Sequence, residues 1–186
     1  MEENSKQVAI ASKVGLPSDL KPASISRELQ YVRSVGDALA LASDREKYPS
    51  LALIRRDYGN EVIEDLIMAY LLDLRKKVNA KRNLSDEQIE EIAFEVVSTF
   101  YNFTIADIHL VFRWAKLGKY GELYESIDMP KVMNWFEAYD DAHTEAATQE
   151  NVNNSGTWNI RDNRRESERW SKQLDKLEKK FNKGKK

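Results

Sequence analysis

Apolar residues recur along most of this chain with the three- and four-residue spacing of helices buried on one face, and no stretch alternates as a strand would. From Ser24 onward, Ile25, Leu29, Val32, Val35 and Leu39 predict a helix over roughly 25–42. Tyr48-Pro49-Ser50 interrupts the pattern. A short helix from Ser50 to Tyr58 is then expected to stop at Gly59, whose lack of a Cβ permits a left-handed cap. Asn60 is placed to cap the next helix, expected to run to about Arg82. Its positions Val62, Ile63, Leu66, Ile67, Tyr70, Leu71, Leu74 and Val78 make a stripe broad enough for a central core helix. Arg75, Lys76, Lys77, Lys81 and Arg82 suit the negative end of its dipole.

Three later helix starts share one grammar. Ser85 precedes Gln88 by three residues, a capping box, with Leu84 and Ile89 in the positions of a hydrophobic staple. Thr104 with Asp107 repeats the box, and Phe103 with Ile108 repeats the staple. Asp128 precedes Met129-Pro130, with Ile127 and Val132 as its staple pair. Helices are therefore predicted over about 86–101, 105–117 and 129–149. Their core stripes are Ile89, Ile92, Ala93, Val96, Val97 and Phe100, then Ile105, Ile108, Val111, Phe112 and Ala115, then Val132, Met133, Trp135, Phe136 and Tyr139.

The two ends read differently. Residues 1–23 are polar and then broken by Gly15, Pro17 and Pro22, which predicts a flexible segment with no secretory signal. Residues 151–160 (NVNNSGTWNI) have the composition of a linker. Beyond it, Trp170, Leu174, Leu177 and Phe181 fall at steps of four, three and four, an a/d seam too short to hold a coiled coil alone. The expected class is all-α: a compact multi-helix bundle over 24–150, a disordered N-terminal segment and a separate basic amphipathic helix over 161–186.

Composition adds constraints. With 41% hydrophobic and 32% charged residues, only 7 Gly and 4 Pro, and no Cys, the chain suits long helices. It has no disulfides, thiolate nucleophiles or cysteine zinc motifs. The apolar run Leu66–Leu72 is broken at Asp73, far short of the about 20 residues that span a bilayer. A soluble cytoplasmic protein is expected. The net charge of −2 hides a division: residues 1–160 carry −8 and residues 161–186 carry +6. Such an asymmetry points the end segment toward an acidic partner, nucleic acid among them, although a solvated tail or one folded on its own body would read alike.

No phosphate-cradling glycine motif, nucleophile elbow or HExxH occurs, so no catalytic residue, cofactor or metal site is expected. His143 lies near Asp140, Asp141 and Glu145 on one helix, more readily an acidic helix face than a metal site. His109 lies at the rim of a core stripe as a packed or surface residue. The most distinctive segment runs from Phe112 to Asp128. Arg113, Lys116 and Lys119 recur at three-residue spacing, interleaved with Trp114, Tyr120 and Tyr124. Cations position phosphates and aromatic faces stack on bases, so this is a candidate single-strand platform. The alternative is that the aromatics wedge the turn between two helices while the lysines face water. In the tail, Arg164, Arg165, Arg169 and Lys172 surround the apolar Trp170, Leu174, Leu177 and Phe181, a pattern for nucleic acid, a partner's groove or the chain's own body.

The stretch from about 48 to 147 resembles a family of unknown function from phages and mobile elements of Bacteroides-type bacteria. The likeness is carried by Leu84-x4-Ile89 and Thr104-Ile105-Ala106-Asp107. It continues through Phe112-Arg113-x-Ala115-Lys116-x-Gly118-x-Tyr120-Gly121-x2-Tyr124-x2-Ile127-Asp128 and ends at Trp135 with Tyr139. It implies an all-helical protein in a mobile-element setting, with no assigned activity. In size, helicity and setting the chain is also similar to phage helicase loaders, a likeness of fold alone. The resulting expectation is a non-catalytic binding protein, a DNA-replication accessory whose body meets a protein and whose basic segments meet nucleic acid. The alternative is a structural or adaptor protein, such as a virion component, acting through protein contacts.

Overall fold

The computed structural model describes residues 21–153; the expected disordered segment up to residue 20 and the basic helix over 161–186 lie outside the described residues. The protein is all-α, with no strand among the described residues. Among the described residues its helices are α1 (Pro22–Glu28), α2 (Val35–Ala42), α3 (Leu51–Tyr58), α4 (Asn60–Lys77), α5 (Asp86–Thr99), α6 (Ile105–Lys116) and α7 (129–153). The chain divides into two compact units, Met1–Thr144 and Glu145–Lys186. The division falls within α7. In the second unit, α7 continues through residue 153, with Gln149 Nε2 donating to Asn153 Oδ1 at 3.1 Å. No helix among the described residues is long and apolar enough to cross a membrane.

In the first unit, α6 is the innermost element. Every residue from Ile105 to Ala115 except Arg113 is buried, Asp107 and His109 among them, so the helix is enclosed all round rather than along one stripe. The expected central helix, α4, packs against α1, α3, α5 and α6 and buries Ile63, Leu66, Ile67, Tyr70, Leu71, Leu72 and Leu74. The stripes expected on α5, α6 and α7 are buried throughout, apart from a half-buried Met133. Phe136 of α7 stacks on Phe100 at 5.3 Å and meets Phe112 edge-on at 5.8 Å, while Tyr139 meets Phe103 at 5.3 Å.

The capping grammar holds. Ser85 with Gln88 and Thr104 with Asp107 close full boxes, and Asp128 Oδ1 accepts from the Lys131 amide at 3.1 Å. All six staple residues are buried. Asp107 does more than cap: its carboxylate, 2% exposed, also accepts the Tyr139 hydroxyl at 2.6 Å.

Four expectations are corrected. The helix expected over 25–42 is two, because Ser34 and Asp37 form a capping box that starts α2 afresh. Pro22, read as a breaker, opens α1 at a position where its missing N–H costs nothing. α4 starts after Gly59 with no side-chain cap from Asn60 and ends at Lys77 rather than Arg82. There the Lys81 amide donates to the Tyr124 carbonyl at 2.9 Å, the Arg82 amide to Glu125 at 3.2 Å and the Ile127 amide back to Arg82 at 3.0 Å. This pairing across 43 residues gives the backbone a partner that a longer helix would forgo. Finally, α7 outlasts its expected end at 149 and takes in the first residues of the expected linker.

Candidate functional site

The segment from Lys116 to Tyr124 begins as a helix terminus. Gly118, at φ 76°, closes α6: its amide donates to Ala115 and that of Lys119 to Trp114, each at 3.0 Å. These are the two bonds of a Schellman motif, which calls for a contact between the residue after the glycine and the helix's third-last residue. Lys119 and Trp114 occupy those positions, and the ammonium lies 2.9 Å from the indole centroid. Gly121, at φ 97°, turns the chain again with its amide on the Gly118 carbonyl at 3.0 Å. Leu123 and Ile127 anchor the return in the core, and Lys131 Nζ donates to the Glu122 and Ser126 carbonyls at 2.9 and 3.1 Å.

Between this turn and the end of α4 lies a cleft of about 480 Å³, bordered by Lys77, Asn79, Lys116, Gly121, Glu122 and Tyr124. A Cβ at Gly121 would meet nothing within 4 Å, and one at Gly118 only the Gly121 carbonyl at 3.9 Å, so the glycines border open space. Asp73 sits behind the rim, 2.9 Å from Lys77 Nζ and 3.2 Å from Lys116 Nζ. Burial pushes its carboxyl up, but the two ammonium groups outweigh that and hold it below the usual carboxylate range. Glu122 also lines the cleft, so Lys77 and Lys116 are balanced by two carboxylates, and the surplus positive charge is that of Lys81 at the mouth. At the mouth, Tyr124 is 61% exposed, with Lys81 Nζ 4.9 Å from its ring centroid.

The residues singled out in the sequence part company here. Lys116 and Tyr124 border the cleft. Arg113 instead donates to the Gln30 carbonyl at 3.0 Å, and Trp114 Nε1 to the Arg33 carbonyl at 3.3 Å, fastening the α1–α2 connection. Trp114 is buried. Tyr120 stacks on Trp135 at 6.1 Å, with its hydroxyl buried and burial pushing that group's pKa up. These two rings pack into the turn between α6 and α7, as the alternative reading has it, Trp114 buried and Tyr120 half-buried. Lys119 lies on Trp114, and partial burial lowers its pKa. Arg164, Arg165, Arg169, Trp170, Lys172, Leu174, Leu177 and Phe181 lie outside the described residues.

Sequence reading missed Asp73, Lys77 and Lys81 as parts of the site. The available signal was Asp73 itself, a lone carboxylate ending an apolar run four residues before Lys77. His109 is more deeply placed than expected. It is 4% exposed, with Nδ1 3.3 Å from the Tyr70 hydroxyl, and burial together with the charges of Lys116 and Arg113 lowers its pKa to about 4. His143 turns toward Asp107, at 3.9 Å, and among the described residues no three His, Asp or Glu side chains gather as a metal site. No protein family, curated protein or solved structure matches the chain.

Proposed function

We propose that the chain is a non-catalytic binding protein that holds a single nucleic-acid strand at the cleft beside Tyr124. The observation that carries this reading is the exposed Tyr124 ring at the mouth of a cleft lined by Lys77 and Lys116, with Lys81 beside the ring. Tyr124 supplies a stacking face, and the ammonium groups around it meet the phosphates on either side of the stacked base. The tail, with +6 over residues 161–186, adds sequence-independent attraction. A replication accessory of a phage or mobile element, similar to a helicase loader and acting in the host cytoplasm, is the role this reading fits.

The test is fluorescence anisotropy with labelled single- and double-stranded DNA over a salt series, comparing the intact chain, Tyr124→Ala and a chain truncated after Gly156. Single-strand affinity is expected to fall about tenfold or more in Tyr124→Ala, in keeping with a stacked base. Truncation is expected to flatten the salt dependence. No binding by the intact chain at low salt overturns the reading. The adaptor alternative, including a virion component, then takes its place, supported by the exposed aromatics Phe94 and Tyr101.

A further inference from the structure

Helix α5 presents two unlike faces. Ile89, Ile92, Ala93, Val96 and Val97 are buried against the rest of the unit. The opposite side carries Glu87, Glu90 and Glu91, then Phe94, all exposed, and Tyr101 follows just beyond the helix end. Phe94 and Tyr101 are each 56% exposed. A phenylalanine left open to water in mid-helix gains nothing from burial, and single exposed apolar residues are common. What sets this face apart is the charge around it: DEQIEEIAFEVVST holds five acidic residues and no basic one. Asp86 is tied to Arg75 at 2.7 Å, and Glu90 and Glu91 flank Phe94 on the exposed side.

We infer that this face of α5 is a docking surface for a basic amphipathic helix of a partner protein. Charge sets the kind of occupant that fits. Nucleic acid is repelled by the acidic run, and a second copy docking α5 on α5 would set the same glutamates against each other. A helix with an apolar stripe flanked by Lys and Arg meets both demands, covering Phe94 and Tyr101 while its cations face the glutamates. The inference is independent of the nucleic-acid reading: it places the protein contact on a surface of the opposite sign, on residues that do not border the cleft.

The probe is a fluorescently labelled 18-residue peptide of leucine and lysine, with leucine at heptad a and d positions, titrated with the full chain. A second peptide of the same composition in scrambled order serves beside it. Saturable binding of the first is expected, weakened about tenfold or more by the joint change Phe94→Ala and Tyr101→Ala, as for central aromatic anchors. Glu90→Lys with Glu91→Lys should weaken it similarly. All four side chains are exposed, and circular dichroism checks that the variants keep their helices. The inference is overturned by no binding, by equal binding of the scrambled peptide, by unchanged affinity in the Phe94/Tyr101 variant, or by binding that appears only in a chain truncated after Gly156, which would give this face to the chain's own basic tail.

Discussion

Asp107 shows how much one buried carboxylate can organise. It accepts from the Thr104 amide at 2.8 Å, the Thr104 hydroxyl at 2.7 Å and the Tyr139 hydroxyl at 2.6 Å. One residue thereby starts α6 and ties it to α7. Tyr139 answers the partnership: burial first, then the charge of Asp107, pushes its hydroxyl far up, so it stays a donor. Asp107→Asn keeps the shape but puts an amide N–H where only acceptors are wanted. Loss of about 2–4 kcal/mol is expected in urea unfolding, the range for breaking a buried charged network. A loss within error of zero would mean that the carboxylate is not what holds the two helices together. The half of this arrangement that lies within four residues, Thr104-x-x-Asp107, was legible in the sequence. The Tyr139 bond, 32 residues away, was not, because nothing local distinguishes that tyrosine from another core aromatic.

Elements were legible where their ends are written locally and illegible where a distant segment decides. Ser85-x-x-Gln88 and Thr104-x-x-Asp107 announce α5 and α6, and both helices begin where their boxes say. Ser34-x-x-Asp37 is the same signal, yet Ile25, Leu29, Val32 and Val35 stay in helical phase across it and are all buried, so periodicity hid the break. The end of α4 is the other kind: residues 81 and 82 leave the helix to pair with 124–127, which local pattern cannot anticipate. The site shares this mixture. Its turn was visible in Gly118 and Gly121, but its second wall comes from the end of α4. Both glycines have positive φ with room for a Cβ, so replacing either by Ala carries a conformational cost and no steric one. Gly118→Ala and Gly121→Ala are each expected to lower stability by about 1–2 kcal/mol in thermal or urea unfolding, with helix content retained. A neutral outcome at both would show that the turn does not need its left-handed backbone.

At the scale of the whole first unit, a helix buried all round carries an imidazole into the core, where it adds a pH-dependent term to the stability of the fold. His109 is held neutral inside the core, and its Nε2 has no protein partner, so nothing there would compensate a proton. In the unfolded chain the imidazole titrates near its ordinary value of about 6.5; in the fold it does so at about 4. Between those values the unfolded state binds the extra proton. Stability is therefore full above about pH 6.5 and falls as the pH drops toward 4, below which this contribution levels off. The difference in pKa corresponds to about 3 kcal/mol in all, of which about 2.5 should be lost by about pH 4.5. Carboxylates titrate in the same region, so the comparison needs a chain without the imidazole. His109→Gln keeps a polar group near Tyr70 and cannot titrate. Urea unfolding at pH 7 and pH 4.5 should show a drop for the unchanged protein that exceeds the drop for His109→Gln by about 2–3 kcal/mol. Equal drops would mean that His109 takes up its proton in the folded state, and that α6 opens enough for water to reach it.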